Sequence, residues 1–427
     1  MKVTHRYKSV GTFKHYDFCR FCFSSLLTPI INLGYVPLAG GFLKSAQSFE
    51  KEHFYPLEIS FCNECFLVQS TNVVDKDILF KDYFYRSSAI KTLANHFIST
   101  AEEIVSLIEK KSEAMVVEIG CNDGTLIKQI LQANIPALGV DPATNIVSPL
   151  IKAGMPMIND YFSENLAKKI IKKEGKTDVI FSSNTLAHIE NMHDIFKGIK
   201  ILLKKNGVVI FEVHYLGNLL HETQYDMIYH EHQYYYSLMT LQKFLGQYQL
   251  EIFDVKPLSI HAGSMRFYVK NKESKMHTIS KNVYDLFAKE KRTKINKSET
   301  YLKFSEKIAK TKRDLLKIVK ELKKDGKTIA GYGASGRGTI IMNYCGLDEK
   351  FLDYVIDDSP AKQGAYTPGN HLKIVNSNIL STKQRPDYVI LFAWSFYSEI
   401  KMKNKDFLKR GGKFIVPLPQ VEIITDK

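Results

Sequence analysis

Residues 225–236 read Tyr225-Asp-Met-Ile-Tyr229-His230-Glu231-His232-Gln-Tyr-Tyr-Tyr236, with five tyrosines, two histidines and a glutamate in twelve positions. Packing alone would favour leucine and valine, and buried phenols and imidazoles need hydrogen-bond partners. A histidine changes charge near neutral pH, and a carboxylate beside it can orient it, so this box has the composition of an acid–base site. Two other readings stay open. One is a tyrosine ladder that only supports the fold. The other is a metal site at His230 and His232, although positions i and i+2 diverge on a helix and no H-E-x-x-H spacing occurs.

Such a box must be held against a reactant, and residues 115–142 supply the frame. They comprise an apolar run, a glycine-bearing turn, an amphipathic run and a second apolar run ending in Asp141. The pattern predicts a buried strand at 115–119, a helix at 126–133 and a strand whose carboxyl end carries an acid that can bind a ribose diol. The turn is E-x-G-x-x-x-G, with Gly120 and Gly124 where backbone must approach a ligand and with Asn122 and Asp123 between them. It differs from the G-x-G-x-x-G turn that admits a pyrophosphate. It resembles the first motif of class I S-adenosylmethionine (SAM) methyltransferases. An NAD site and an α/β core without a nucleoside are the alternatives.

Four of the six cysteines fall as Cys19-x-x-Cys22 and Cys62-x-x-Cys65. In a reducing compartment two such pairs converge on a tetrahedral zinc ion, and four thiolates leave no open position, so the metal is expected to be structural. Pro29, Gly34, Pro37, Gly40 and Gly41 are expected to break the segment between the pairs into turns. Zinc would then supply part of the folding free energy of residues 1–75.

With 427 residues the chain is too long for one core. No run reaches the roughly 18 apolar residues of a membrane span, and no apolar leader opens the chain, so a cytosolic protein is expected. The net charge of +14 raises the question of nucleic acid. Lysines scattered over 272–325 and 400–411 lack a binding motif, however, and solvated helix faces or an anionic substrate account for them.

The fold class is α/β. A zinc-binding module (1–75) precedes a Rossmann-like domain (76–270), a lysine-rich helical connection (271–325) and a second Rossmann-like unit (326–427). In the first domain a polar-aromatic patch, Asp82-Tyr83-Phe-Tyr85-Arg-Ser87-Ser88, leads into a helix to about residue 111 that Ser87 or Ser88 could cap. A strand ending at Asn184-Thr-Leu-Ala-His188 places ligand contacts at its carboxyl end, and strands follow at 207–214 and 256–269. The last unit carries Gly331-Tyr332-Gly333-Ala-Ser-Gly336-Arg337-Gly338. That is a formal dinucleotide fingerprint, but a weak one in isolation.

Taken in order, the C-x-x-C pairs, the tyrosine–serine patch, E-I-G-C-N-D-G, N-x-L-A-H-I, Y-H-E-H-x-x-Y-x-S, H-x-G-S-x-R and G-Y-G-A-x-x-R-G resemble one family over nearly the whole chain. It is that of the sugar C-methyltransferases that methylate a nucleotide-linked keto-deoxysugar at carbon 3, as in tetronitrose biosynthesis. The resemblance implies His232 as the base at carbon 3, with Tyr229, Glu231, His188 and Tyr83 around the sugar. It implies Gly120, Asn122, Gly124, Asp141 and Asn184 for SAM, and Tyr85, Ser87, Arg266, Tyr332, Gly333 and Arg337 for the nucleotide sugar. No nucleic acid, no membrane and a plausible monomer complete the expectation. The alternatives are an O- or N-methyltransferase, an NAD-dependent sugar oxidoreductase, and a zinc-bearing nucleic-acid-binding protein with an inactive SAM fold.

Overall fold

The computed structural model describes residues 8–10, 12–81, 83, 86–89, 91–260 and 263–426. Tyr85 and His261 lie outside the described residues.

The apolar runs of the first α/β domain become a seven-stranded sheet. Its order is Leu250–Leu258, Ser264–Asn271, Leu203–His214, Thr177–Ser183, Val116–Ile119, Ala137–Val140, Met157–Ile158. From Leu203–His214 to Met157–Ile158 all neighbours pair in parallel, and Ser264–Asn271 runs antiparallel to both its neighbours. Val116–Ile119 and Ala137–Val140 are buried at every position, as strands covered on both faces must be. Successive strands leave Val116–Ile119 in one direction and then the other, so the switch point opens between the ends of Val116–Ile119 and Thr177–Ser183. A ligand crevice belongs there.

The C-terminal unit forms a six-stranded sheet in the order Ile374–Val375, Val355–Ile356, Ile329–Tyr332, Tyr388–Leu391, Lys413–Val416, Glu422–Ile424. Only the last strand is antiparallel. Between the two sheets run helices Lys281–Arg292 and Ser298–Lys324. The longer one buries Tyr301, Phe304, Ile308, Leu315 and Val319 and turns its lysines outward, the amphipathic pattern expected of it.

The N-terminal segment departs from the expectation of turns. Leu27–Pro37 and Phe54–Cys62 are two long antiparallel strands of a four-stranded sheet. Leu27–Pro37 is its edge strand, where proline is tolerated, and register shifts on either side of Ile31–Asn32 accommodate Gly34 at φ +80°. The opposite edge is Tyr234–Tyr235, which pairs with Val68–Ser70. The tyrosine-rich box is therefore a strand of the cysteine module's sheet. Phe21, Cys62 and Leu67 pack into one core with Val117 and Phe211 of the first α/β domain. Ile31, Leu57 and Ile59 pack into another with Ile340 and Phe392 of the C-terminal unit.

Candidate active site and zinc centre

At the switch point the chain turns through Gly120 and Gly124, at φ +77° and +68°, with Asn122 between them at +48°. A Cβ on Gly120 would lie 2.0 Å from Thr185 Oγ1, so only glycine lets the loop lie against the end of the neighbouring strand. Asp141 closes the loop by accepting from the Asn122 N–H at 2.9 Å through Oδ2 and from the Ala143 N–H at 2.9 Å through Oδ1. Glu118 is 2% exposed, and its Oε2 has no hydrogen-bond partner among the described residues. Burial, then Asp141, Asp123 and Glu212, hold its carboxyl far above the usual range. Asn184, at φ +52°, leaves its buried Oδ1 without a partner too. The crowding of acids that keeps Glu118 protonated is hostile to a further anion such as a diphosphate and suits a cationic ligand.

The polar-aromatic patch crosses this loop. Ser87 and Ser88 donate their backbone N–H groups to Asn122 Oδ1 at 3.0 Å and Asp123 Oδ2 at 2.9 Å. They sit in a short turn, Ser87–Ala89, and the helix itself spans Lys91–Ser106, ending before residue 111. Tyr83 donates its N–H to Asn145 Oδ1 at 3.2 Å and its hydroxyl to Glu231 Oε2 at 3.3 Å, which links the cofactor crevice to the histidine box.

In that box His232 is 3% exposed, and its Nδ1 lies 2.7 Å from the Met227 carbonyl oxygen. Its ring centroid is 3.9 Å from Tyr229, 4.7 Å from His214 and 5.2 Å from His188. Burial pushes the Glu231 carboxyl up to about 7, with the Tyr83 hydroxyl opposing. Burial, then the Glu231 charge, pushes the Tyr229 phenol far up, while Arg337 pulls it down. His230 turns away from this group. Its Nε2 donates to the Tyr55 carbonyl at 3.3 Å, and burial lowers it to about 4. The tyrosines divide. Tyr234 and Tyr236 donate to the carbonyls of Glu190 and Leu186 at 2.5 and 2.8 Å, fixing the loop that carries His188. The ladder reading thus describes part of the box.

Arg337 opens the helix Gly336–Cys345 and reaches the box from the C-terminal unit. Its Nε donates to Asp226 Oδ2 at 2.8 Å, its guanidinium lies 4.8 Å from the Trp394 ring centroid, and its buried Nη2 has no partner among the described residues. Tyr332 donates to Asp358 at 2.6 Å, and a Cβ on Gly333 would meet Ala393 at 2.7 Å, so both are tied into their own sheet's end. A Cβ on Gly336 would meet Ala39 Cβ at 3.2 Å, and Thr339 Oγ1 donates to the Ala39 carbonyl at 3.2 Å. The N-terminal module therefore packs on the turn where a dinucleotide's phosphates would lie.

Arg266 differs from the expectation. It is 3% exposed, and Glu212, Glu103 and Thr100 hold its guanidinium. Glu212 also accepts from Ser183 Oγ at 2.7 Å and meets His96 at 2.9 Å. The arginine is the counter-ion that lets Glu212 stay charged in the core, and lining a substrate pocket is not its place.

The four Sγ atoms of Cys19, Cys22, Cys62 and Cys65 lie within 4.8 Å of one another, with 3.4 Å between Cys19 and Cys65 and 3.5 Å between Cys22 and Cys62. Tetrahedral zinc with Zn–S bonds of about 2.3 Å needs sulfur separations of roughly 3.8 Å, so the set fits.

A curated relative, C-methyltransferase NovU of Streptomyces niveus, is 30% identical over 96% of this chain and 97% of its own. The chain belongs to the C-methyltransferase family. Family models describe a zinc binding domain at residues 19–80, a methyltransferase domain at 92–255 and a C-methyltransferase C-terminal domain at 259–419. Among solved structures, the SAM-bound magnesium protoporphyrin IX methyltransferase of Synechocystis PCC 6803 covers 44% of this chain and 85% of its own at 16% identity and TM-score 0.31. The plantazolicin methyltransferase BpumL covers 42% and 86% at 11% identity and TM-score 0.33.

The cofactors of this C-methyltransferase are SAM and zinc, and the residues present fit both: the acidic, glycine-lined crevice suits a sulfonium and an ammonium, and the closed thiolate set suits a structural metal. Among the described residues no helix is long and apolar enough to cross a membrane. Sequence reasoning passed over two residues at the centre. His214 ends the strand Leu203–His214, so the criterion that selected Asp141 and Asn184, a polar residue at a parallel strand's carboxyl end, would have found it. Arg20 stands inside the first C-x-x-C, and nothing in its spacing announced that it reaches Gln233.

Proposed function

We propose that this C-methyltransferase methylates carbon 3 of a nucleotide-linked 4-keto sugar, with His232 as the base. The observation that carries the reading is the His232–Met227 contact. A carbonyl only accepts, so the proton sits on Nδ1 and the lone pair on Nε2, in a ring packed against Tyr229, His188 and His214. A hydrogen next to a ketone is acidic enough for imidazole when the developing enolate oxygen receives a hydrogen bond, which Tyr229 can donate. Nε2 takes the proton, the C–H electron pair enters the enolate, and carbon 3 becomes the nucleophile. Bound SAM supplies the electrophilic methyl group. Gly120, Asn122, Gly124, Asp141 and Asn184 hold it against the enolate face, where positioning contributes much of the rate. Glu231 keeps Tyr83 in place, and we assign Arg337, Ser87, Tyr332 and Gly333 to the nucleotide part of the substrate. An oxygen or nitrogen acceptor would not need a donor for an enolate oxygen. A cysteine cluster that holds zinc in place of disulfides suits a cytosolic enzyme.

The test is mass spectrometry of nucleotide 4-keto sugars incubated with enzyme and SAM. A single methyl gain at carbon 3 is expected. A gain on oxygen or nitrogen, or none with any keto sugar while other acceptors are methylated, contradicts the reading.

A further inference from the structure

Arg20 lies between two metal-ligating cysteines yet points into the active-site loop. It is 5% exposed, and its guanidinium lies 4.3 Å from the Tyr234 ring centroid and 5.1 Å from that of Tyr16. Nη1 donates to Gln233 Oε1 at 2.7 Å, while Nη2 donates to the Gln233 carbonyl at 3.1 Å and to the Ser70 carbonyl at 2.8 Å. Gln233, 1% exposed, directly follows His232 and uses all its polar groups. Its N–H donates to the Ala187 carbonyl at 2.8 Å, its Nε2 to the His188 carbonyl at 2.9 Å, and its carbonyl also accepts from Ser70 N at 2.9 Å. One side chain on the cysteine knuckle thus grips the residue that joins the two histidine-bearing loops.

We infer that Arg20 is a positioning residue that sets the place of His232 against His188 through Gln233, so that the cysteine module is part of the catalytic frame as well as a fold support. The inference rests on the reading of His232 as the base. Its physical ground is that a general base must stand within hydrogen-bond reach of the proton it removes, and a displacement of about 1 Å is enough to cost turnover about 100-fold. Arg20 offers charged, buried hydrogen bonds, the strongest kind for holding a loop to that tolerance.

The experiment compares Arg20→Met, Arg20→Lys, Gln233→Glu and His232→Asn in the full chain. Zinc content, melting temperature, SAM affinity by calorimetry, kcat, KM and the pH profile of kcat are read for each. Gln233→Glu keeps the acceptor for Arg20 and loses the donor to the His188 carbonyl. Arg20→Met and Gln233→Glu are expected to lower kcat about 10–100-fold, with zinc retained, SAM affinity within about twofold of wild type and a displaced acid limb of the pH profile. Arg20→Lys should recover part of the loss. A wild-type kcat in Arg20→Met beside an inactive His232→Asn overturns the inference alone. So does a loss that merely tracks lost zinc or unfolded protein, with the wild-type pH profile in the surviving fraction. Full activity in His232→Asn removes the base assignment itself, and with it the purpose assigned to Arg20.

Discussion

The imidazole of His232 donates its Nδ1 proton to the carbonyl oxygen of Met227 across 2.7 Å. Both lie in one short turn, where His232 N also donates to the Tyr229 carbonyl at 2.9 Å, so a main-chain carbonyl sets the tautomer while Tyr229, His214 and His188 pack against the ring. The carboxylate beside it, Glu231, is instead engaged with Tyr83. The neighbouring acid of the motif therefore holds Tyr83, while a main-chain carbonyl orients His232, the proposed base.

The zinc centre holds together more than its own loops. Cys62 ends the strand Phe54–Cys62, whose sheet packs on both α/β units. Purified protein is expected to carry one zinc per chain. Cys62→Ser should lose it, with a lower melting temperature and poorer solubility, since a structural zinc in small peptides contributes about 10–16 kcal/mol at pH 7. Metal analysis and thermal denaturation check this; freshly purified, unchelated protein without zinc would contradict it.

Asp141 organises the loop between Gly120 and Gly124, and in the proposed function it also offers an acceptor to a ribose. Asp141→Ala removes both loop hydrogen bonds and leaves the N–H groups of Asn122 and Ala143 unpaired. Titration calorimetry should show SAM binding weakened about 10–100-fold, the equivalent of about 1–3 kcal/mol. Unchanged affinity would place the ribose elsewhere in the crevice.

His230 gives the fold an acid-sensitive point. Its folded value, lowered by burial to about 4, lies below the ordinary 6.5, so the unfolded chain binds its proton more tightly. The contribution is complete above pH 6.5 and disappears as the pH falls toward 4, amounting to about 3 kcal/mol over that window. His230→Gln keeps a donor for the Tyr55 carbonyl and does not titrate. Urea denaturation at pH 7 and pH 4.5 should show a smaller difference in stability for this variant than for wild type, by about 2–3 kcal/mol. An unchanged difference would mean that His230 is already charged in the fold.

Much of this was legible in the sequence, and the exceptions have physical reasons. The strands Val116–Ile119, Thr177–Ser183 and Tyr388–Leu391 read plainly because parallel strands buried on both faces leave continuous apolar runs. Asp141 and Asn184 followed from their places at strand ends. The hairpin from Leu27 to Cys62 was hidden because proline and glycine, ordinarily turn signals, are tolerated on an edge strand with bulges. Arg266 was given to the substrate by the resemblance alone; its partners Glu212 and Glu103 lie 54 and 163 residues away, and long-range ion pairs leave no local pattern. Tyr234 and Tyr236 could not be told from catalytic tyrosines by composition, since their bonds to the carbonyls of residues 190 and 186 depend on a sheet shared between two segments.

The central claim is that His232 Nε2 removes the proton at carbon 3 before the methyl group moves. The direct measurement is exchange of that hydrogen with deuterated water, followed by NMR on the nucleotide keto sugar, with S-adenosylhomocysteine in place of SAM so that no methyl can transfer. Wild-type enzyme should exchange the carbon-3 hydrogen. His232→Asn should slow that exchange about 10²–10⁴-fold while still binding both ligands. Exchange at the wild-type rate in His232→Asn would contradict the account and pass the role to His188, His214 or Glu231.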